Sequence, residues 1–262
     1  MKIIVCVKQV PDTNEVRIDP VKGTLIRDGV PSILNHDDAN ALEEALKIKE
    51  AYPETHITVL TMGPPQAQDM LRECMAMGAD DAVLLSDRAL GGSDTWATSN
   101  ALAAGVAKIG EFDIIFAGRQ AIDGDTAQVG PQLAEKLGIP QVTYVKEFSI
   151  KGNEIIVKRA LENGYERIQL RTPCLLTAIK ELNSPRYMSV AGVYKACNTK
   201  IAVWNAEDIK VDQTKVGLEA SPTNVYKSFT PKPKGKGITI TGDSTKAVVE
   251  NLMCALEAKH LV

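Results

Sequence analysis

Four short, almost wholly apolar runs, Ile3–Val7, Ile57–Leu60, Ala82–Leu85 and Ile114–Ala117, alternate with helical stretches over roughly 36–51, 65–76 and 95–109. Runs of that length and composition fit strands buried on both faces, the habit of parallel sheets. Alternating strands and helices joined by right-handed crossovers close into a doubly wound parallel sheet. The first helix carries Leu42, Ala45, Leu46 and Lys49 at helical spacing, with Asn35 just before it and Asp38 three residues on, a pattern resembling a capping box.

After about residue 140 the period changes. Val142–Val145, Glu147–Ile150, Ile155–Lys158, Glu166–Leu170 and Leu175–Ala178 read as strands, with Lys151-Gly152-Asn153 as a hairpin turn. Ile168 and Leu170 alternate with Arg167, Gln169 and Arg171, so one face is wet and antiparallel strands extend the parallel sheet. From Asn198 onward Pro222, Pro231 and Pro233 mix with Lys227, Lys232, Lys234 and Lys236, which predicts an extended arm. A terminal helix follows Asp243-Ser244, with Val248, Leu252, Ala255 and Leu256 as one apolar stripe. The expected fold is α/β: a doubly wound, mainly parallel sheet extended by antiparallel strands over 1–197, then a C-terminal arm and terminal helix over 198–262. The arm either folds back on its own domain or embraces a partner. A Pro- and Lys-rich tether is poorly suited to covering a core, which favours the partner.

Residues 11–32 form a long insertion, read as a small hairpin from Val16–Ile18 and Thr24–Ile26. An excursion of that length beside a strand's C-terminal end is more often functional than decorative.

Composition removes several function classes. The 262 residues are 44% hydrophobic and carry a net charge of -3, which gives nucleic-acid binding no electrostatic support. No apolar run approaches membrane-spanning length. Cys6, Cys74, Cys174, Cys197 and Cys254 are dispersed without a CxxC pair, as expected for a reducing cytoplasm. Cys74 and Cys254 fall on apolar helix faces and read as packing residues. His36, His56 and His260 lie far apart, so no metal site, Ser-His-Asp grouping or general acid–base candidate is visible.

Gly118-Arg119-Gln120-Ala121-Ile122-Asp123-Gly124-Asp125-Thr126-Ala127-Gln128-Val129-Gly130 lies between the strand at 114–117 and a helix ending at Gly138. Open α/β sheets bind ligands at such strand-to-helix turns, and helix-start amides are free to meet an anion. The spacing is neither a P-loop nor a Rossmann fingerprint. Calcium-loop geometry fails as well, because Gln128 and Ala134 stand where Gly and Glu are needed. Asp123 and Asp125 would repel a phosphate set directly on them. They fix the turn, cap the helix or accept from sugar hydroxyls; the plainer alternative is an ordinary Asp-Gly turn.

Nearly end to end the chain resembles the β subunit of electron-transfer flavoprotein. The resemblance rests on Val5-Cys6-Val7-Lys8-Gln9-Val10, Asn35 with Ala41-Leu42-Glu43-Glu44-Ala45, Met62-Gly63-Pro64, Met77-Gly78-Ala79-Asp80, Gly118 to Val129, and Asn183-Ser184-Pro185-Arg186-Tyr187. His36 stands where the family commonly has Pro; either fills a helix first turn. The resemblance implies an αβ heterodimer whose α subunit holds FAD and exchanges electrons with a flavin-containing dehydrogenase, such as an acyl-CoA dehydrogenase. The β subunit binds structural AMP in the ordinary branch. In the bifurcating branch of anaerobes it binds a second FAD that NADH reduces, with ferredoxin or flavodoxin as low-potential acceptor. Lys8 to Thr13, Asp19-Pro20, Gly23 to Gly29, Ser86-Asp87-Arg88, Gly91-Gly92-Ser93-Asp94-Thr95 and Asp123 to Gln128 resemble the bifurcating branch. A stand-alone ATP-binding sensor also fits the α/β pattern, but the long arm argues against it.

The resemblance implies a cofactor site of Cys6, Asn35, Asp38, Met62, Gly118, Arg119, Gln120, Asp123, Gly124, Asp125, Thr126, Ala127, Gln128 and Val129. Amides near Thr126 to Val129 and the Thr126 hydroxyl are expected on the pyrophosphate. Cys6 and Met62 suit an adenine face or plain packing. Gln9, Pro11, Asp12, Thr13, Gly91, Gly92, Ser93, Asp94 and Thr95 are expected to form the rim that NADH crosses; Ser93 or Asp94 equally fits as the N-cap of the next helix. Asn183 to Ala191 is expected to be a dehydrogenase-recognition loop, with Val190 as apolar anchor and Arg186 and Tyr187 locking its base.

Overall fold

A computed structural model describes residues 1–12, 31–151, 154–226 and 234–262. The described residues fall into two compact units, one drawn from Met1 to Tyr226 and the other from 234 to Val262. The expected hairpin at 16–18 and 24–26, Thr13, the 152–153 turn and the residues 227–233 lie outside the described residues.

In chain order the first unit contains β1 (Lys2–Cys6), β2 (Gln9–Pro11), β3 (Ser32–Leu34), α1 (His36–Ala51), β4 (His56–Met62), α2 (Ala67–Met77), β5 (Asp81–Leu85), α3 (Thr95–Ile109), β6 (Ile114–Gly118) and α4 (Val129–Leu137). Then follow β7 (Gln141–Lys151), β8 (Glu154–Leu161), β9 (Gly164–Arg171), β10 (Cys174–Ala178), α5 (Val190–Asn198) and β11 (Ala202–Trp204). The second unit holds α6 (Thr245–Glu257). Nine strands form one sheet in the order β11-β5-β4-β1-β6-β10-β7-β8-β9. All neighbours are parallel up to β7, and β8 and β9 add antiparallel pairs.

Burial on both faces explains the apolar runs. Ile3, Val5 and Val7 enter one core with Leu42 and Leu46 of α1 and Met70, Leu71 and Cys74 of α2. Ile4 and Cys6 enter the opposite core with Leu102 and Val106 of α3 and Leu133 of α4. Alternate residues of one strand thus feed two layers, as a period of two demands. Each such side chain contributes about 1.5–3 kcal/mol when fully buried.

Several expectations need correction. Leu175–Ala178 is not part of the antiparallel extension: β10 is a wholly buried parallel strand between β6 and β7, where an unbroken apolar run belongs. The runs 142–145 and 147–150 are one strand with register shifts, so the sequence period breaks while pairing continues. Residues 202–226 lie in the first unit. β11 pairs with β5, and Ile201, Ala206, Ile209 and Val216 are buried in its cores. Cys74 packs as expected, but Cys254 is exposed. Asn35 does precede α1, yet it makes no side-chain cap bond, so the capping box does not form. Gly138 closes α4 in the left-handed conformation, φ 65, as a glycine cap should.

Candidate functional site

The chain runs from β1 outward through β4 and β5 with α1 and α2 on one face, then returns to β6 with α3 and α4 on the other. The strand order therefore reverses between β1 and β6, where doubly wound sheets open a crevice at the strand C-termini. A cleft of about 1080 Å³ lies there, lined among others by Cys6, Lys8, Asp38, Met62, Asp87, Arg88, Gly91 to Thr95, Gly118 to Ala121 and Gly124 to Gly130. That is at the upper end of the roughly 300–1,000 Å³ common for small-molecule sites.

A buried clamp shapes its centre. Asn35 is fully buried; its Nδ2 donates to Gln120 O at 2.9 Å, and its Oδ1 accepts from Ile122 N at 3.2 Å. Asp38 accepts from Lys8 N at 2.8 Å and from Gly118 N at 2.9 Å. The first turn of α1 thus ties together the ends of β1 and β6 and the loop after β6. Partners in these distant segments take the acceptors that a capping box would use, which is why the box is absent. Burial pushes the Asp38 carboxyl up to about 7 against these hydrogen bonds. Burial, then the Asp38 charge, pushes the Cys6 thiol up to about 12, so Cys6 is a neutral apolar wall rather than a nucleophile.

The loop itself is held by its own acids. Lys8 Nζ meets both Asp123 oxygens at 2.6 and 2.9 Å, and Gln120 Nε2 donates to Asp125 Oδ1 at 2.7 Å. Arg119 Nε lies 3.2 Å from Asp37 Oδ2, an ion pair whose two atoms make no hydrogen bond. The aspartates therefore fix the turn, and Lys8 offsets the charge of Asp123. Asp125 and Ala127 have φ of 49 and 53. For a residue without a side-chain hydrogen bond such as Ala127, the left-handed region costs about 1–2 kcal/mol. Loops use such residues to build concave rows of amides that receive anions. Among the described residues, the amides of Thr126, Ala127, Gln128, Val129 and Gly130 donate to no protein acceptor. This row at the start of α4 fits a phosphate-bearing cofactor.

The rim differs from expectation in its detail. Ser93 Oγ donates to Leu90 O at 2.8 Å and accepts from Gly217 N at 2.9 Å. Asp94 caps α3 through Ala97 N and also accepts from Thr223 N. Both side chains thus hold the 217–223 segment, and the N-cap alternative describes Asp94. Gly92 needs its φ of 75, and a Cβ there would meet Leu218 Cβ at 3.0 Å. Thr95 Oγ1 donates to Gln128 Oε1 at 2.9 Å, bridging the rim to the loop. Gln9 lines the cleft; Asn35, Asp123, Pro11 and Asp12 do not.

On the face carrying α1 and α5, Arg186 grips Glu43 through Nε and Nη2, both at 2.8 Å, and Glu50 through Nη1 at 2.6 Å. Bonding to Glu43 foremost raises its pKa further. Asn183 Nδ2 donates to Asn40 O and Glu44 Oε2. Arg186 thus locks the segment to α1, whereas Tyr187, 97% exposed, locks nothing. Val190 is the first residue of α5 rather than a loop residue, with Ser189 as N-cap, and is 89% exposed. Met188, Val193 and Tyr194 extend this exposed apolar surface, which sequence reading reduced to one anchor. Lys8, Asp37 and Arg88 were also missed as site residues; their position one to three residues beyond a strand's end, or in the first turn of the next helix, is the available signal.

Among the described residues no group of metal-ligating side chains occurs, and no helix is long and apolar enough to cross a membrane. Residues 22–209 match the family model described as "Electron transfer flavoprotein domain". The chain is 59% identical, over the full length of both, to the "Caffeyl-CoA reductase-Etf complex subunit CarD" of Acetobacterium woodii. It is 57% identical, again over both full lengths, to the "Electron transfer flavoprotein subunit beta" of Clostridium acetobutylicum. "Protein FixA" of Azorhizobium caulinodans is 44% identical across 98% of this chain and 94% of that protein.

Proposed function

The chain belongs to the electron transfer flavoprotein family, and from that premise we propose that it is the β subunit of a bifurcating αβ heterodimer. Its cleft binds FAD, with NADH as substrate, one electron path leading through the α-subunit FAD to a dehydrogenase and the other to ferredoxin or flavodoxin. FAD, when bound, supplies the chemistry of accepting hydride and releasing electrons singly. This chain supplies the amide row at 126–130, the apolar walls at Cys6 and Met62, and the clamp through Asn35 and Asp38 that fixes them. The carrying observation is the length of the cleft, which continues from the loop after β6 past β1 and β4 to the turn after β5. That span suits a dinucleotide and leaves room for an incoming substrate. The cytoplasm is the proposed compartment. A name such as "Caffeyl-CoA reductase-Etf complex subunit CarD" supports a flavin-containing acyl-CoA dehydrogenase as partner.

The second reading is structural AMP on the same amides, with no redox centre in this chain. Nucleotide extraction from the purified α–β complex separates the two: two FAD per heterodimer supports bifurcation, one FAD with one AMP supports the other. Thr126→Glu sets a carboxylate among the free amides, and it is expected to bring the complex from two flavins to one, read by flavin absorbance after extraction. A variant complex that keeps both flavins removes the phosphate loop from the proposal.

The exposed surface around Val190 is proposed as the dehydrogenase contact, with Val190 as an apolar plug. Val190→Ala removes two methyl groups from that contact, about 1–1.6 kcal/mol and so about tenfold in docking. Electron transfer at limiting dehydrogenase should slow accordingly with flavin content intact; an unchanged rate locates docking elsewhere.

A further inference from the structure

We infer that Arg88 is the contact for the pyrophosphate of the incoming nicotinamide dinucleotide, at the β5 end of the cleft. The inference rests on the reading that the loop after β6 holds a resident flavin dinucleotide which NADH reduces. Three cations line the cleft: Lys8, Arg88 and Arg119. Lys8 is paired with Asp123 and Arg119 with Asp37. Arg88 has no carboxylate within ion-pair distance among the described residues and is exposed. Its neighbour Asp87 does not neutralise it by pairing, because the Asp87 carboxylate accepts from Ala89 N and Ala206 N, both at 3.0 Å. Those two bonds hold Asp87 below the usual carboxylate range. They also cap the short 3-10 turn Arg88–Leu90 and tie its start to Ala206, two residues past β11, so the arginine rises from an anchored backbone.

The polar side chains expected at 93–95 are engaged within the chain. Ser93 and Asp94 bind the 217–223 segment, and Thr95 binds Gln128. The charge left to meet a ligand at this end is the guanidinium, whose fork suits phosphate oxygens. Arg88 leaves the sheet at a different strand from the loop proposed to hold the resident cofactor's phosphates. β5 and β6 are three sheet neighbours apart, through β4 and β1. Three interstrand spacings amount to about 14 Å. Arg88 follows β5 and the amide row follows β6, and the two segments meet only at their edge through Thr95 and Gln128 among the bonds described. The anion at Arg88 is accordingly assigned to a second molecule, an assignment that flavin content tests directly.

The test uses the purified α–β complex as wild type, Arg88→Ala and Arg88→Lys. Flavin content is measured after extraction, NAD+ affinity by equilibrium dialysis, and KM and kcat by NADH-driven reduction. For Arg88→Ala, both flavins should remain, while the NAD+ dissociation constant and the NADH KM rise about tenfold to a hundredfold, as for loss of a charge-assisted hydrogen bond. Reduction at saturating NADH should stay within about twofold, the mark of lost uniform binding. Arg88→Lys should recover part of the affinity. Unchanged NAD+ affinity in an Arg88→Ala complex with both flavins overturns the inference and leaves the flavin reading intact. Loss of the second flavin in Arg88→Ala overturns it by assigning the arginine to the resident cofactor. A wild-type complex with one flavin and no NAD+ binding overturns both the reading of the site and the inference.

Discussion

Gly118→Ala is expected to cost the protein both its stability margin and its nucleotide. A Cβ at this position would lie 2.2 Å from Asp38 Oδ1 and 2.8 Å from both Asp37 C and Asp38 N. Two of those atoms are backbone of the first turn of α1, and that turn is tied down by Asn35 and Asp38. Relief requires α1 to move away from β6, which breaks the 2.9 Å bond from Gly118 N to Asp38. Overpacking of this kind costs about 1–3 kcal/mol, and loss of a hydrogen bond to a buried charged group about 1.5–3 more. For a chain of this length Tm should fall by about 5–25 °C, since each kcal/mol shifts it by about 2–4 °C. The amides at 126–130 are carried by the same loop, so nucleotide content should fall with it. Calorimetry and extraction on the α–β complex check both. Gly124→Ala provides the contrast, because a Cβ there meets nothing within 4 Å and Tm should stay near that of the wild type. An alanine at 118 with unchanged Tm and full nucleotide content would mean the close approach is not part of the working structure.

Deleting residues 243–262 is expected to weaken the heterodimer severely while the first unit still folds. α6 is capped by Ser244, whose Oγ accepts from Ala247 N at 3.2 Å, so it is a formed helix. None of its residues is buried: Leu252 is 43% exposed and Val249 53%, with Val248 and Leu256 half-buried. An apolar stripe left in water favours association. Burying Val248, Leu252 and Leu256 against the α subunit would contribute about 1.5–3 kcal/mol each before ordering costs. The expected loss of affinity is therefore about a hundredfold or more, measured by sedimentation or titration of the two subunits. Both cores are built of residues between Ile3 and Val216, so the truncated chain should keep a cooperative melt. Full affinity in the truncated chain would end the proposal that this helix embraces the partner.

Much of the sheet was legible because burial leaves a local trace. β1, β4, β5 and β6 are apolar on both faces, so their runs announce themselves; so does the loop after β6, because glycines and acids cluster between a strand and a helix. β10 has the same signature, and its grouping with the antiparallel strands followed from its neighbours in sequence rather than from its own residues. The 201–226 stretch left no such trace. β11 is only three residues long and half-exposed, and Ile201, Ala206, Ile209 and Val216 follow no helical or strand period.

The amino-acid sequence by itself determined the α/β class, the order of the central elements and the position of the glycine-rich loop after β6, because period and composition are properties of neighbouring residues. Only the tertiary structure decided who bonds to whom. Asn35 and Asp38 carry the spacing of a helix cap, yet their polar atoms go to Gln120, Ile122, Lys8 and Gly118. Ser93 and Asp94 bond to the chain at 217–223, and among the described residues Arg88 has no ion-pair partner while the adjacent Asp87 bonds to Ala89 and Ala206. A buried polar group must find a partner, and several nearby in sequence would serve. Which one it takes depends on segments that only the folded sheet brings within hydrogen-bond reach.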